Sequence, residues 1–251
     1  EPLSGTGTGR AGPVSYLSHV RALNTWDPDH FRPWRVDGQP VGMLRHGFAE
    51  HLRRWPQVFL VGAEEVQMAH GLSGFEARSR ALEAVLRDLV EEGSVSHLHG
   101  ERYPVTAGDR GQALCVIDRA AAPYFGIRAF GQHLNGFVQR PDGLHMWIAR
   151  RSADRRQFPG KLDNLVAGGL PHALGLRENL AKECREEAGI GPELAARARP
   201  VGASRRSGQS RSVCLGSSVG PGIRAGAVLP WSGRIGDRRG VSGSSLLFLR
   251  R

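Results

Sequence analysis

The chain has 251 residues, 40% hydrophobic and 23% charged, enough for one large domain or two small ones around a real core. No apolar run approaches the roughly 18 residues of a membrane-spanning helix, and Cys115, Cys184 and Cys214 are too few and too far apart for a disulfide framework or a zinc pattern. The formal charge of +10 is unevenly placed: residues 204–251 carry +8 and the rest +2, so an argument for nucleic-acid binding from net charge would concern the last segment alone.

In chain order, residues 1–13 read as a disordered lead without the basic start and apolar stretch of a signal peptide. The missing initiator Met suggests a fragment or a processed start, and a cytoplasmic setting is expected. Val14, Leu17, Val20 and Leu23 recur at helical spacing, so a short helix is expected over 14–24. Trp34–Val36 and Val41–Leu44 flank Asp37-Gly38, the pattern of a tight hairpin. A helix is expected over Arg45–Arg54, stopped by Pro56. A second strand pair is expected at Val58–Val61 and Val66–Met68. Leu82, Val85, Leu86 and Leu89 form an apolar stripe along a helix from about Phe75 to Glu92, which Gly93 ends. These elements define a small α/β unit over 14–105.

A second unit is expected over 106–203. Ala113–Ile117 reads as a strand and Gly126–Val138 as extended. Pro141-Asp142-Gly143 makes a turn, and Leu144–Ala149 returns as a strand. A basic connector, Arg150–Lys161, follows. His133, Arg150, Arg151, Arg155, Arg156 and Lys161 flank what comes next and are candidates to face an anionic substrate; a solvated basic turn is the plain alternative. His97 and His99 lack an acid or cysteine at ligand spacing and read as surface or packing residues. Trp26, Trp34, Trp55 and Trp147 read as packing residues.

The stretch 168–190 reads GGLPHALGLRENLAKECREEAGI. Its helix brings Glu183, Glu186 and Glu187 to one face at steps of three and four. Three carboxylates crowded in this way repel one another unless a cation sits among them, and Mg²⁺ takes such oxygen ligands, often beside substrate phosphates. Leu176, Leu180, Cys184 and Ala188 lie at steps of four and should form the packing edge, so Cys184 reads as a small buried residue rather than a nucleophile.

These residues resemble the signature of the Nudix hydrolases. Gly168, Glu183, Cys184, Glu186, Glu187, Gly189 and Ile190 match the pattern. Lys182 stands where Arg is usual, and Leu174 stands where the pattern has its first Glu, a residue that commonly pairs with that Arg. The resemblance implies an α/β/α sandwich of the Nudix type, Mg²⁺ (or Mn²⁺) on Glu183, Glu186 and Glu187, and Gly168, Gly169, Lys182 and Gly189 as structural positions. It also implies hydrolysis of a small-molecule diphosphate, and a homodimer is an expected assembly. The longer string from Asp163 is similar to the Nudix part fused to fungal thiamine pyrophosphokinase. That branch carries a companion N-terminal domain and is associated with oxidised thiamine diphosphate.

After Ala203 the composition changes. Residues 204–251 hold ten serines, nine glycines and nine arginines, with Asp237 as the single acid. This is the composition of a disordered tail, and it leaves the expected sandwich incomplete. A disrupted reading frame near residue 204 would account for the change; the idea fails if neither alternative frame of the encoding DNA gives an acidic, strand-patterned continuation. The leading function is therefore a Mg²⁺-dependent diphosphate hydrolase. The alternatives are an inactive remnant, or a binding module whose basic tail contacts nucleic acid nonspecifically.

Overall fold

The computed structural model describes residues 18, 27–154, 158–206, 211–219 and 245–250, with backbone alone beyond residue 202. Apart from Ser18, the helix expected over 14–24 lies outside them, as do Trp26, Arg155 and Arg156.

The first hairpin joins β1 (Phe31–Val36) to β2 (Gln39–Arg45). Asp37 and Gly38 both take positive φ, 48° and 71°. Two left-handed residues in succession give the turn whose twist matches paired strands, which is why Asp-Gly favours it. The Arg78 guanidinium anchors this turn with two bonds of 2.7 Å to the Asp37 carboxylate. Helix α1 (His46–His51) continues into a 3-10 turn over Leu52–Arg54 before Pro56. Strands β3 (Phe59–Val61) and β4 (Val66–Met68) complete a four-stranded sheet of order β2-β1-β4-β3.

Helix α2 (Phe75–Glu91) buries Leu82, Val85, Leu86 and Leu89, the expected stripe. They join Trp34, Leu44, Leu52 and Phe59 in a core that extends through Val105, Cys115 and Ile117 to Phe125 and Ile127. The Trp34 and Phe125 rings meet edge to face at 5.2 Å, a favoured aromatic geometry. Trp55 is buried, and its indole N–H donates to Asp88 at 2.7 Å. Strands β5 (Arg102–Val105) and β6 (Cys115–Asp118) form a two-stranded ribbon, and the short helix α3 (Ala122–Phe125) leads out of it.

The second sheet is built on β7 (Arg128–Arg140) and β8 (Gly143–Arg150), an antiparallel pair closed by the expected Pro141-Asp142 turn. Two short strands, β9 (Leu162–Asp163) and β10 (Val166–Gly169), pair with β8 and β7 respectively. Helix α4 (Leu176–Ala188) packs against β10, and the four-residue α5 (Pro192–Ala195) packs against α4. Leu134, Leu165, Val166, Leu180, Cys184, Ala188 and Ala195 form a second buried cluster.

The end of the chain departs from the expected tail. β11 (Arg199–Arg206) and β12 (Arg211–Val219) are antiparallel partners, β12 runs parallel to β7, and β13 (Ser245–Arg250) pairs antiparallel with β8. Backbone hydrogen bonding does not depend on acids or tyrosine, and Val213, Leu215 and Val219 recur at the even spacing of a strand. The architecture is thus mixed α/β: a seven-stranded sheet carrying α4, preceded by an α/β part built on the four-stranded sheet. Among the described residues no second long helix follows α4.

Candidate active site around the carboxylate helix

Helix α4 is held at both ends and across its buried face. The Gly175 N–H donates to Glu178 at 3.4 Å at its start. At its end Gly189 takes φ 64° and the Ile190 N–H returns to the Cys184 carbonyl at 3.0 Å, a left-handed helix stop. Leu180, Cys184 and Ala188 are buried, as their spacing requires. Leu176 is not part of that edge: it is the first residue of the helix and 46% exposed. Its carbonyl accepts from Gln132 at 2.9 Å instead. Buried Asn179 donates to Gln132 at 2.9 Å and to the Gly169 carbonyl at 3.0 Å, tying the helix to β7 and β10.

The two glycines of β10 admit their neighbours. A Cβ on Gly168 would fall inside the Glu183 carboxyl group, and one on Gly169 would fall on the Tyr103 hydroxyl. Glu183 is accordingly 7% exposed, pressed over the bare backbone of Gly168. Glu187 accepts from the Ala167 N–H at 2.9 Å, and Glu186 faces solvent. The ammonium of Lys182 stands among the carboxylates, 3.3 Å from Glu183, 3.5 Å from Glu186 and 3.1 Å from Glu101. The crowding inferred from sequence is therefore offset here by a side-chain cation. The three carboxylates take separate directions, and among the described residues no group of three His, Cys, Asp or Glu side chains gathers at metal-holding distance.

Burial opposes ionisation of Glu101, but hydrogen bonds from Arg119 and Lys182 outweigh it and hold its carboxyl below the usual range. Burial also opposes the charge on Lys182, and its carboxylate partners, Glu101 first, reverse this and raise it. The loop leading into α4 is gripped from the upstream part of the chain. Arg110 donates to the carbonyls of Pro171, His172 (2.9 Å) and Leu174, and the His172 N–H donates to the Arg102 carbonyl at 2.7 Å.

Of the expected phosphate-facing residues, Arg151 lies beside the helix. It shares a small cleft with Glu187, Asp163, Asn164 and Ala167, and its guanidinium bonds Asp163 at 2.8 Å. Arg150 and Lys161 are exposed and do not line that cleft; Arg150 donates to the Gly160 carbonyl at 2.9 Å. His133 is partly buried against Asn164 at 3.0 Å. His97 and His99 are exposed, as expected, with their rings 4.6 Å apart. Sequence reading missed Glu101, Arg110, Tyr103 and Asn179. Their partners lie 81, about 60, 66 and 47 positions away in the chain, so no local pattern marks them.

Burial raises the Cys115 thiol to about 12 and the Cys184 thiol to about 11, so neither forms a thiolate at neutral pH. Iodoacetamide at pH 7 is expected to leave both unmodified in the folded protein and to alkylate both in denaturant, as peptide mass spectrometry would show. Labelling of native Cys184 would contradict its placement in the core.

Residues 15–129 match the model of a family described as a domain of unknown function (DUF4743). The chain is 41% identical over 174 residues to Nudix hydrolase 24, chloroplastic, of Arabidopsis thaliana, covering 68% of this chain and 48% of that protein. It is 38% identical over 183 residues to Nudix hydrolase 20, chloroplastic, of the same plant, covering 69% and 49%. The chain thus spans about half the length of the curated relatives it matches. Among solved structures it is similar to a MutT protein from Methanosarcina mazei Go1, at 19% identity and a TM-score of 0.30, over 39% of this chain and 66% of that one. The signature in 168–190 and this level of identity make the chain similar to the Nudix hydrolases. Among the described residues no helix is long and apolar enough to cross a membrane.

Proposed function

We propose that this protein is a Mg²⁺-dependent hydrolase of a diphosphate linkage in a small organic diphosphate, with Glu183, Glu186 and Glu187 as its catalytic carboxylates. The observation that carries the reading is the seating of these carboxylates. One is buried over Gly168, one is oriented by the Ala167 N–H, one is open to solvent, and all lie along one short helix. The donor chemistry fits a hard divalent ion, since every candidate ligand is a carboxylate, and the Lys182 ammonium among them marks a place that attracts positive charge. Glu186 and Glu187, with Glu183 behind them, would hold Mg²⁺ or Mn²⁺.

When bound, such an ion offsets diphosphate charge and makes a bound water a better nucleophile. The chain's own residues supply position. The Ala167 N–H fixes the Glu187 carboxylate, and Arg151 presents a cation in the cleft beside Glu187, where phosphate oxygens are favoured. Arg150 and Lys161 complete the substrate-facing set in this proposal. Residues 14–105 act as the companion unit and 106–203 as the catalytic one. The cytoplasmic setting belongs to the same reading. Oxidised thiamine diphosphate is the proposed substrate class, supported by the likeness of the string from Asp163 to the thiamine-associated branch.

The test is product release from thiamine diphosphate, its oxidised derivatives and nucleoside diphosphates, with Mg²⁺ varied. The expected result is saturable, metal-dependent cleavage with preference for the thiamine derivatives. Equal rates across the panel would remove the thiamine assignment and leave the diphosphatase. A second reading, an impaired remnant, is favoured by one observation: the Lys182 ammonium stands close to two of the carboxylates that a metal would use. It predicts no turnover of any member of the panel with either ion.

A further inference from the structure

In the pattern that residues 168–190 resemble, the motif cation commonly pairs with a Glu at the position of Leu174, which here carries no carboxylate. The Lys182 ammonium nevertheless has a carboxylate outside its own helix. Glu101, immediately before β5, approaches it at 3.1 Å. The Glu101 side chain is itself fixed, because its other oxygen accepts from Arg119 at 2.7 Å, and the Glu101 carbonyl accepts from the Arg119 N–H at 2.8 Å. Glu101 is 27% exposed in its side chain and directly precedes the strand whose Arg102 carbonyl and Tyr103 ring abut the signature loop.

We infer that Glu101 is a positioning residue for the carboxylate helix, taking over the pairing that Leu174 cannot make, so that the segment around β5 is an integral part of the site. The inference rests on the metal-dependent reading above. Lys182 has three carboxylates in reach, and two of them belong to the proposed metal set. Glu101, braced by Arg119, draws the ammonium away from α4. Remove the charge at 101 and the ammonium has only Glu183 and Glu186 to pair with, which occupies oxygens that an incoming divalent ion must use. Leu174 has no carboxylate to take over, and the Leu174 backbone is already engaged through its carbonyl by Arg110.

The experiment is a double-mutant cycle in the full chain, with Glu101→Gln, Lys182→Met and both together, and Glu101→Asp as the conservative variant. Three quantities are measured: Mn²⁺ binding by electron paramagnetic resonance, the Mg²⁺ concentration for half-maximal hydrolysis, and the thermal midpoint. Glu101→Gln is expected to weaken metal binding about tenfold, the range seen when a group that orients metal ligands is lost. The KM for the diphosphate at saturating Mg²⁺ should stay within about twofold, because Glu101 is assigned no contact with substrate in the proposed site. Glu101→Asp should restore most of the metal affinity, and the effect should vanish in the Lys182→Met background. Unchanged metal binding in Glu101→Gln, or an undiminished effect without Lys182, would overturn the inference. If the unaltered protein binds no Mn²⁺ and cleaves no diphosphate, the functional reading fails by itself. Coupling between positions 101 and 182 in the thermal midpoints then decides whether the pairing positions the helix.

Discussion

Glu187→Gln is expected to lower Mg²⁺-dependent turnover by roughly a hundred- to ten-thousandfold, since metal stabilisation of a phosphoryl transition state supplies several kcal/mol. The change preserves shape and removes the charge. Its amide still offers an oxygen to the Ala167 N–H, which the carboxylate accepts at 2.9 Å, so the fold should survive and the thermal midpoint should hardly move. Glu186→Gln should act in the same direction. Its side chain is 48% exposed, so a loss of activity there would have a chemical origin rather than a packing one. Steady-state kinetics with Mg²⁺ varied is the measurement. Turnover unchanged in both variants would reject these carboxylates as the working site.

The second large effect is expected from a single methyl group. Gly168→Ala places its Cβ within the space of the Glu183 carboxyl group, which has little room to retreat because Glu183 is buried and bonded to Lys182. Overpacking at such a point costs about 1–3 kcal/mol of stability, and displacing a reacting constellation by about an ångström costs on the order of a hundredfold in rate. Gly168→Ala should therefore lower both the thermal midpoint and kcat, whereas Glu187→Gln lowers kcat alone. A Gly168→Ala protein with full activity would show that Glu183 does not need its present seat.

Local patterns revealed some parts of this molecule and not others. The Asp37-Gly38 turn was legible because two positive-φ residues select a narrow range of side chains. Helix α2 was legible because its buried stripe, Leu82 to Leu89, follows one period over about two turns. The signature helix was legible from its carboxylates, but its packing edge was drawn one turn too far toward its start, and Leu176 is an exposed first residue. Strand β10 reads Val-Ala-Gly-Gly, a sequence with low strand preference. It forms because its glycines let β7, Glu183 and Tyr103 close around it. Strands β12 and β13 were passed over because composition was weighed above alternation, and their pairing with β7 and β8 is long-range.

The site itself was half legible. Its helix carries a local signature, and Lys182 and Leu174 were visible as departures from it. What answers those departures was not visible. Glu101 lies 81 residues before Lys182, and Arg110 lies about 60 residues before the loop it clamps. Folding brings these residues together through the β5–β6 ribbon and the β7 strand that follows, and the sequence alone has no period that links them. The same geometry shows why the Lys182 ammonium lies among the acids: a compact cation offsets their mutual repulsion.

The central claim is that α4 carries a divalent-metal site. Its most direct measurement is Mn²⁺ titration of the full chain followed by electron paramagnetic resonance, beside a Glu186→Gln/Glu187→Gln double variant of unchanged thermal midpoint. The account predicts saturable Mn²⁺ binding that Mg²⁺ displaces and that the double variant loses. Binding of equal strength in both proteins, or none in either, would contradict it.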